Sequence, residues 1–201
     1  MIKVKAFLKS LRWLVRSYSF PNSYLYESGF LKSLEEGRPA TSSGDPAPWM
    51  NYSFVRFIAP RLQGLRILEY GSGYSTVFWA KHAAEVQAVE HKKEWYREVK
   101  DTLSNHPNAS IMHVDNKEKY IGQVRGDNID VVIVDGIYRL ECLRRSVNSL
   151  SAEAAIIIDD SHRSEIKNAI RSASEKQGYK VVSVAGLKAK DTGVFETSVL
   201  Y

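Results

Sequence analysis

The sequence predicts an α/β domain wound on both faces of a mostly parallel, seven-stranded sheet that closes in a C-terminal antiparallel hairpin. Three observations predict it. Short β-rich runs alternate with segments of helical spacing. Two of the runs, "IDVVIVD" and "AAIIID", are almost wholly apolar, as central strands covered on both faces must be. The last two runs are joined through "GLKAKDTG", a connection too brief for a crossover helix.

In chain order, the first element is a helix. In "MIKVKAFLKSLRWLVRSYSF", Val4, Phe7, Leu8, Leu11, Leu14 and Val15 follow helical spacing, and Lys5, Lys9, Arg12 and Arg16 form a second stripe about a third of a turn away. Charge interrupts the apolar run too often for a signal peptide, and the run is too short for a membrane span. Two readings stand: a helix packed on the domain's own surface, or residues 1 to 20 lying on an anionic membrane face. Residues 37 to 48, "GRPATSSGDPAP", read as an ordered loop or linker, so residues 1–44 form an N-terminal helix and linker and residues 45–201 the main domain.

Strands are expected at Arg66 to Tyr70, Glu85 to Glu90, Ala109 to Val114, Ile129 to Val134, Ala154 to Asp159, Lys180 to Ala185 and Val194 to Tyr201. Trp95, Val99 and Leu103, and later Ile166, Ala169, Ile170 and Ala173, mark intervening helices. With 44% apolar residues and four tryptophans, the 201-residue chain can bury one full core. Its single cysteine, Cys142, leaves no intrachain disulfide and no thiolate cluster for zinc; a reducing compartment, the cytoplasm, is expected. The basic helix adds the option of contact with the inner membrane face. The net charge of +5 permits acidic partners without requiring them.

In such a sheet the ligand site lies beyond the carboxyl ends of the strands. Those ends carry acids: Glu69, Glu90, Asp115, Asp135, and Asp159 with Asp160. A phosphate or dinucleotide site would want amides and positive charge there instead, so the ligand is expected to be partly cationic or metal-bound. In "EYGSGYS", Thr76 replaces the third glycine of the dinucleotide fingerprint and the Gly-Lys-Ser/Thr end of a phosphate loop is missing, which weakens both nucleotide readings. Gly71 and Gly73 let a backbone approach a ligand, Ser75 or Thr76 can cap the next helix, and Glu90, nineteen residues past Gly71, suits a ribose diol.

"ILEYGSGYS", the acid of "AVEHKKEWY" and Asp115 together resemble the cofactor signature of class I S-adenosylmethionine-dependent methyltransferases, which implies a Rossmann-like fold. The resemblance implies cofactor contacts at Glu69, Gly71, Gly73, Ser75, Glu90 and Asp115. A narrower resemblance runs from "SGFLKS" through "GDPAPWMNYSFVRFI", "VDGIYRLEC" and "IIIDDSHR" to a group of small bacterial methyltransferase-like proteins often associated with surface-glycan or secondary-metabolite pathways. It implies the fold more firmly than the acceptor.

Three carboxylates in one crevice, Asp135, Asp159 and Asp160, repel unless a cation neutralises them, and hard oxygen ligands favour magnesium or calcium. The set is similar to that of metal-dependent catechol-type and sugar O-methyltransferases, which implies a divalent ion on these residues. Asp135 and His162 are the catalytic candidates, His162 as general base. The alternative is that Asp159 or Asp160 caps the next helix and Asp135 orders its own glycine turn. Trp49 and Tyr52 either line the acceptor pocket or belong to the core. Base-modifying amino-methyltransferases carry a Pro-Pro-aromatic motif where this chain has "DGIY", and the acidic rim argues against a nucleic-acid substrate, although the basic first helix keeps it open. The expected function is methyl transfer to a hydroxyl of a small molecule or glycan precursor. The competing ones are a non-catalytic scaffold acting through the N-terminal helix and, more distantly, a nicotinamide-dependent oxidoreductase.

Overall fold

The computed structural model describes residues 2–124 and 128–201. Its strands are β1 (Arg66–Tyr70), β2 (Glu85–Glu90), β3 (Ala109–His113), β4 (Val131–Val134), β5 (Ala155–Asp159), β6 (Val181–Gly186) and β7 (Phe195–Leu200). They form one sheet in the order β3-β2-β1-β4-β5-β7-β6. The first five pair in parallel, and β7 inserts antiparallel between β5 and β6, as the short connection required. Strand β4 starts two residues later than expected. Asp130 is instead drawn to Arg66, its carboxylate 2.8 Å from Nη2 and 2.7 Å from the backbone N–H.

The helices are α1 (Ile2–Ser19), α2 (Tyr24–Glu27), α3 (Phe30–Glu36), α4 (Tyr52–Ile58), α5 (Tyr74–His82), α6 (Lys93–Thr102), α7 (Lys117–Ile121), α8 (Arg139–Ser149) and α9 (Ser164–Gln177). Successive strand side chains point to opposite faces, and the two cores follow that period. Leu68, Tyr70, Val132, Val134, Ile156 and Ile158 pack under α7, α8 and α9. Ile67, Val131, Ile133 and Ile157 pack under α4 and α5 with Phe54, Phe78 and Trp79. Cys142 is a buried core residue of α8, its thiol pushed up to about 12 by burial.

The stretch before α4 is a packed corner. Ser33 and Ala40 are fully buried, the Ser33 hydroxyl lies 2.7 Å from that of Tyr52, and Ala40 bridges to Pro46. The expected boundary at residue 45 falls in an exposed turn between the buried Ala40 and Ala47. Asn51 accepts from Phe54 N–H to cap α4 and donates to Val184 O and Thr197 Oγ1, so α4 is pinned to the C-terminal hairpin. Helix α1 behaves differently: it touches α2, and its apolar residues are exposed.

Candidate active site at the sheet switch point

The strand order reverses between β1 and β4, and a ligand crevice in an open α/β sheet forms at such a point. Two glycines meet there. Gly71 has φ +92°, a conformation that favours glycine, and a Cβ on it would lie 2.8 Å from Gly136 Cα. A Cβ on Gly136 would lie 2.7 Å from Gly71 N and would strike the Tyr120 hydroxyl. The two backbones therefore meet closely at the switch point beside the Tyr120 hydroxyl, held by Asp135 N–H donating to Tyr70 O and Gly71 N–H donating to Val89 O, each at 3.0 Å. Gly73 is extended, and the Trp95 ring lies 3.4 Å from where its Cβ would be, with Trp95 Nε1 donating to Ser72 O at 2.6 Å.

Glu69 and Ser75 do not face this crevice. By strand alternation Glu69 shares the α4/α5 face with Ile67, so its carboxylate runs beneath the first turn of α5. It accepts from Ser75 Oγ at 2.5 Å, Thr76 Oγ1 at 2.6 Å and Trp79 Nε1 at 3.1 Å, and is fully buried. Burial outweighs these donors and lifts its carboxyl from 4.5 to about 7. The cofactor contacts expected of Glu69 and Ser75 are corrected on this ground: they bind each other. Thr76, at the place of a third glycine, accepts from Gly73 N–H at 3.0 Å and so closes the start of α5.

Glu90 does reach the crevice edge. Its Oε1 accepts from the backbone N–H groups of His91 and Lys92 at 2.9 and 2.8 Å, and its Oε2 from Ser72 N–H and Oγ, both at 3.2 Å. A carboxylate accepts about four such bonds, so the chain orients it fully, and the longer Ser72 hydroxyl contact is the one a ribose hydroxyl can replace. Asp115 is exposed just past β3, and among the described residues its carboxylate has no hydrogen-bond donor. Gly71, Gly73, Glu90 and Asp115 thus border one strand-end surface. The glycine turn after β1 and the fixed carboxylate after β2 fit an S-adenosyl group.

Asp135, Asp159 and Asp160 do come together, but basic side chains supply the counter-charge. Arg139 bonds Asp135 Oδ1 and Asp160 Oδ2, both at 2.8 Å. Lys188 Nζ sits 2.6 Å from Asp159 Oδ2 and 2.8 Å from Asp160 Oδ1, and Arg163 adds a 2.6 Å bond to Asp160. Thr197 donates to the remaining Asp159 oxygen at 2.6 Å. A divalent ion would have to expel the half-buried Arg139 and the buried Lys188, so the donor set does not fit magnesium or calcium, and no ligand cluster for a metal occurs among the described residues. Neither acid caps α9: Arg163 occupies the cap position without a side-chain bond.

Burial would raise the Asp160 carboxyl, but Lys188, Arg139 and Arg163 outweigh it and hold it at about 2. The Asp135 carboxyl moves the other way, well above the usual range, through burial and the charge of Asp159, which Arg139 and Lys188 only partly offset. Tyr138 and Asp160, both non-glycine, each hold φ +54° at this rim, and Asp160 is held there by its ion pairs to Arg139, Arg163 and Lys188. His162 is exposed beyond β5, edge-on to Phe195 at 5.9 Å, and Lys188 lies over the Phe195 ring at 4.9 Å. Tyr52 belongs to the core, whereas Trp49 is exposed near Lys190.

The sequence alone leaves open whether Tyr138 and Arg139 point toward the acceptor or pack against the sheet; it marks Trp95 only as a helix residue and does not single out Ser72 or Lys188. Arg139 had a signal: it stands one turn after Asp135, on the helix that begins at the rim. Lys188 had none, because only the β5-β7-β6 pairing brings it to Asp159.

No family model and no curated protein sequence matches this chain. Solved structures do. A provisionally assigned O-methyltransferase of Klebsiella pneumoniae superposes with TM-score 0.59 at 14% identity, over 96% of each chain. A precorrin-6y C5,15-methyltransferase of Geobacter metallireducens gives 0.57 at 16% identity, over 83% of this chain and 95% of that one. The fibrillarin of Aeropyrum pernix, in complex with natively bound S-adenosyl-L-methionine, gives 0.53 at 15% identity, over 71% and 68%. The strand order, the inserted antiparallel β7 and these neighbours identify the chain as having the Rossmann-like fold of the class I S-adenosylmethionine-dependent methyltransferases.

Proposed function

We propose that this chain transfers a methyl group from S-adenosylmethionine to a hydroxyl of a small molecule or glycan precursor. The observation that carries the reading is the close backbone approach of Gly71 and Gly136 at the switch point with the Glu90 carboxylate fixed beside it. When bound, the cofactor supplies an electrophilic methyl group. Glu90 would hold the ribose hydroxyls, and Asp115, exposed past β3, would add a hydrogen-bond acceptor at the same strand-end surface.

Asp135 is the group placed to take the acceptor proton. Its side chain is 18% exposed at the end of β4, and burial beside Asp159 raises its proton affinity above that of an ordinary carboxylate. An Asp135 oxygen would accept the acceptor hydroxyl's proton as that hydroxyl is methylated; His162 is the second candidate. The acids Asp135, Asp159 and Asp160 are matched by Arg139, Arg163 and Lys188, so the cluster has no cation to spare for a phosphate. That supports a neutral, hydroxylated acceptor.

Assay with methyl-labelled cofactor and a panel of hydroxylated acceptors tests the reading. Asp135→Asn, which keeps a hydrogen bond to Arg139, should lower kcat by about 100-fold or more while cofactor affinity is unchanged. Full turnover in that variant overturns the role of Asp135, and label recovered on nitrogen or carbon overturns the acceptor class.

A further inference from the structure

Helix α1 is the feature that the active site does not use. Within it Val4, Phe7, Leu8, Leu11, Leu14, Val15 and Tyr18 occupy an arc of about 120°. All seven are exposed, Phe7 at 67% and Leu14 at 66%. Lys5, Lys9, Arg12 and Arg16 occupy a flank roughly 60° wide beside that arc. No acid occurs before Glu27. Arg16 lies over the rings of Trp13 and Phe20, at 5.6 and 5.0 Å, so aromatic side chains also flank the cationic edge.

The expectation that this helix packs on its own domain is not what the structure shows. Two things choose among the occupants that remain. A second copy docked antiparallel would bring basic flank against basic flank with no acid to neutralise either. An anionic lipid surface meets both stripes at once: the apolar arc enters the headgroup boundary while the lysines and arginines stay at phosphate level. Among the described residues no helix is long and apolar enough to cross a membrane, so the helix would lie in the interface.

We infer that α1 is a docking helix for an anionic lipid surface, through its apolar arc and its Lys5, Lys9, Arg12 and Arg16 flank. The inference is independent of the methyl-transfer reading. Its effect is to hold the strand-end surface near a membrane.

Co-sedimentation of the full chain with vesicles of phosphatidylcholine alone, and of phosphatidylcholine mixed with phosphatidylglycerol, tests it. Binding is expected to the mixed vesicles, weakening as salt rises. Lys9→Gln with Arg12→Gln should lower partitioning by roughly 30-fold, from about 1 kcal/mol per basic side chain. Leu11→Gln with Leu14→Gln should remove it. Helix α1 contacts the body through α2, so both variants should keep the wild-type circular dichroism. Absence of binding to mixed vesicles at low salt overturns the proposal. So does equal binding to both vesicle types, or a dimer by light scattering that Leu11→Gln with Leu14→Gln dissolves while vesicle binding is absent.

Discussion

Glu69→Gln should change the pH dependence of stability in a direction opposite to that of an ordinary salt-bridged carboxylate. The Glu69 carboxyl rises from 4.5 to about 7 on folding, chiefly through burial. That corresponds to roughly 3 kcal/mol of preference for the protonated form in the folded chain. The folded chain binds this proton more tightly than the unfolded chain does. The contribution is therefore complete below about pH 4.5 and is lost as pH rises through about 7. Glutamine cannot ionise, and its amide can still accept from Ser75 and donate toward Thr76, at a cost of about 1 kcal/mol for the altered hydrogen bonding. Urea unfolding of both proteins across this range gives the difference directly, and subtraction removes every other titrating group. The variant should be slightly weaker at the acid end and stronger than wild type by about 2 kcal/mol above neutrality. Parallel curves would refute the buried, proton-binding account of Glu69.

Two other substitutions probe the rim. Gly136→Ala should cost about 1–3 kcal/mol by urea unfolding, because its Cβ meets Gly71 N and the Tyr120 hydroxyl; adding Tyr120→Phe should recover part of the loss. Lys188→Met leaves Asp159 and Asp160 short of a counter-charge and should cost about 3–5 kcal/mol at neutral pH. Asp160, held at about 2, stabilises the fold above its unfolded pKa near 3.8 and stops doing so as pH falls through 2. Without Lys188 that acid limb should move to higher pH.

Much of the fold was legible because its strands are short, apolar and sharply bounded. β1 and β2 run between the expected residues, and β7 lies within its expected range, because glycine, proline or charge closes each run. The packed corner at residues 30–47 was not legible: its buried groups are Ser33, Ala40 and Ala47, too small or polar to register as core. In the site, Gly71, Glu90 and Asp115 could be placed by their distance past a strand end. Glu69 could not, since a position at a strand end does not say which face the side chain takes. Counting alternation from Ile67 would have turned it toward α5. The acid cluster was visible and its neutralisation was not, because Lys188 reaches it only through tertiary pairing.

The central claim is that the switch-point surface binds S-adenosylmethionine through Glu90 and without a metal. Calorimetric titration of the full chain with the cofactor, in magnesium and again in chelator, tests it most directly, with Glu90→Ala alongside. The account predicts saturable binding of equal affinity in both buffers and its loss in the variant, with the fold intact by circular dichroism. Unchanged affinity in Glu90→Ala, or binding that requires magnesium, would contradict it.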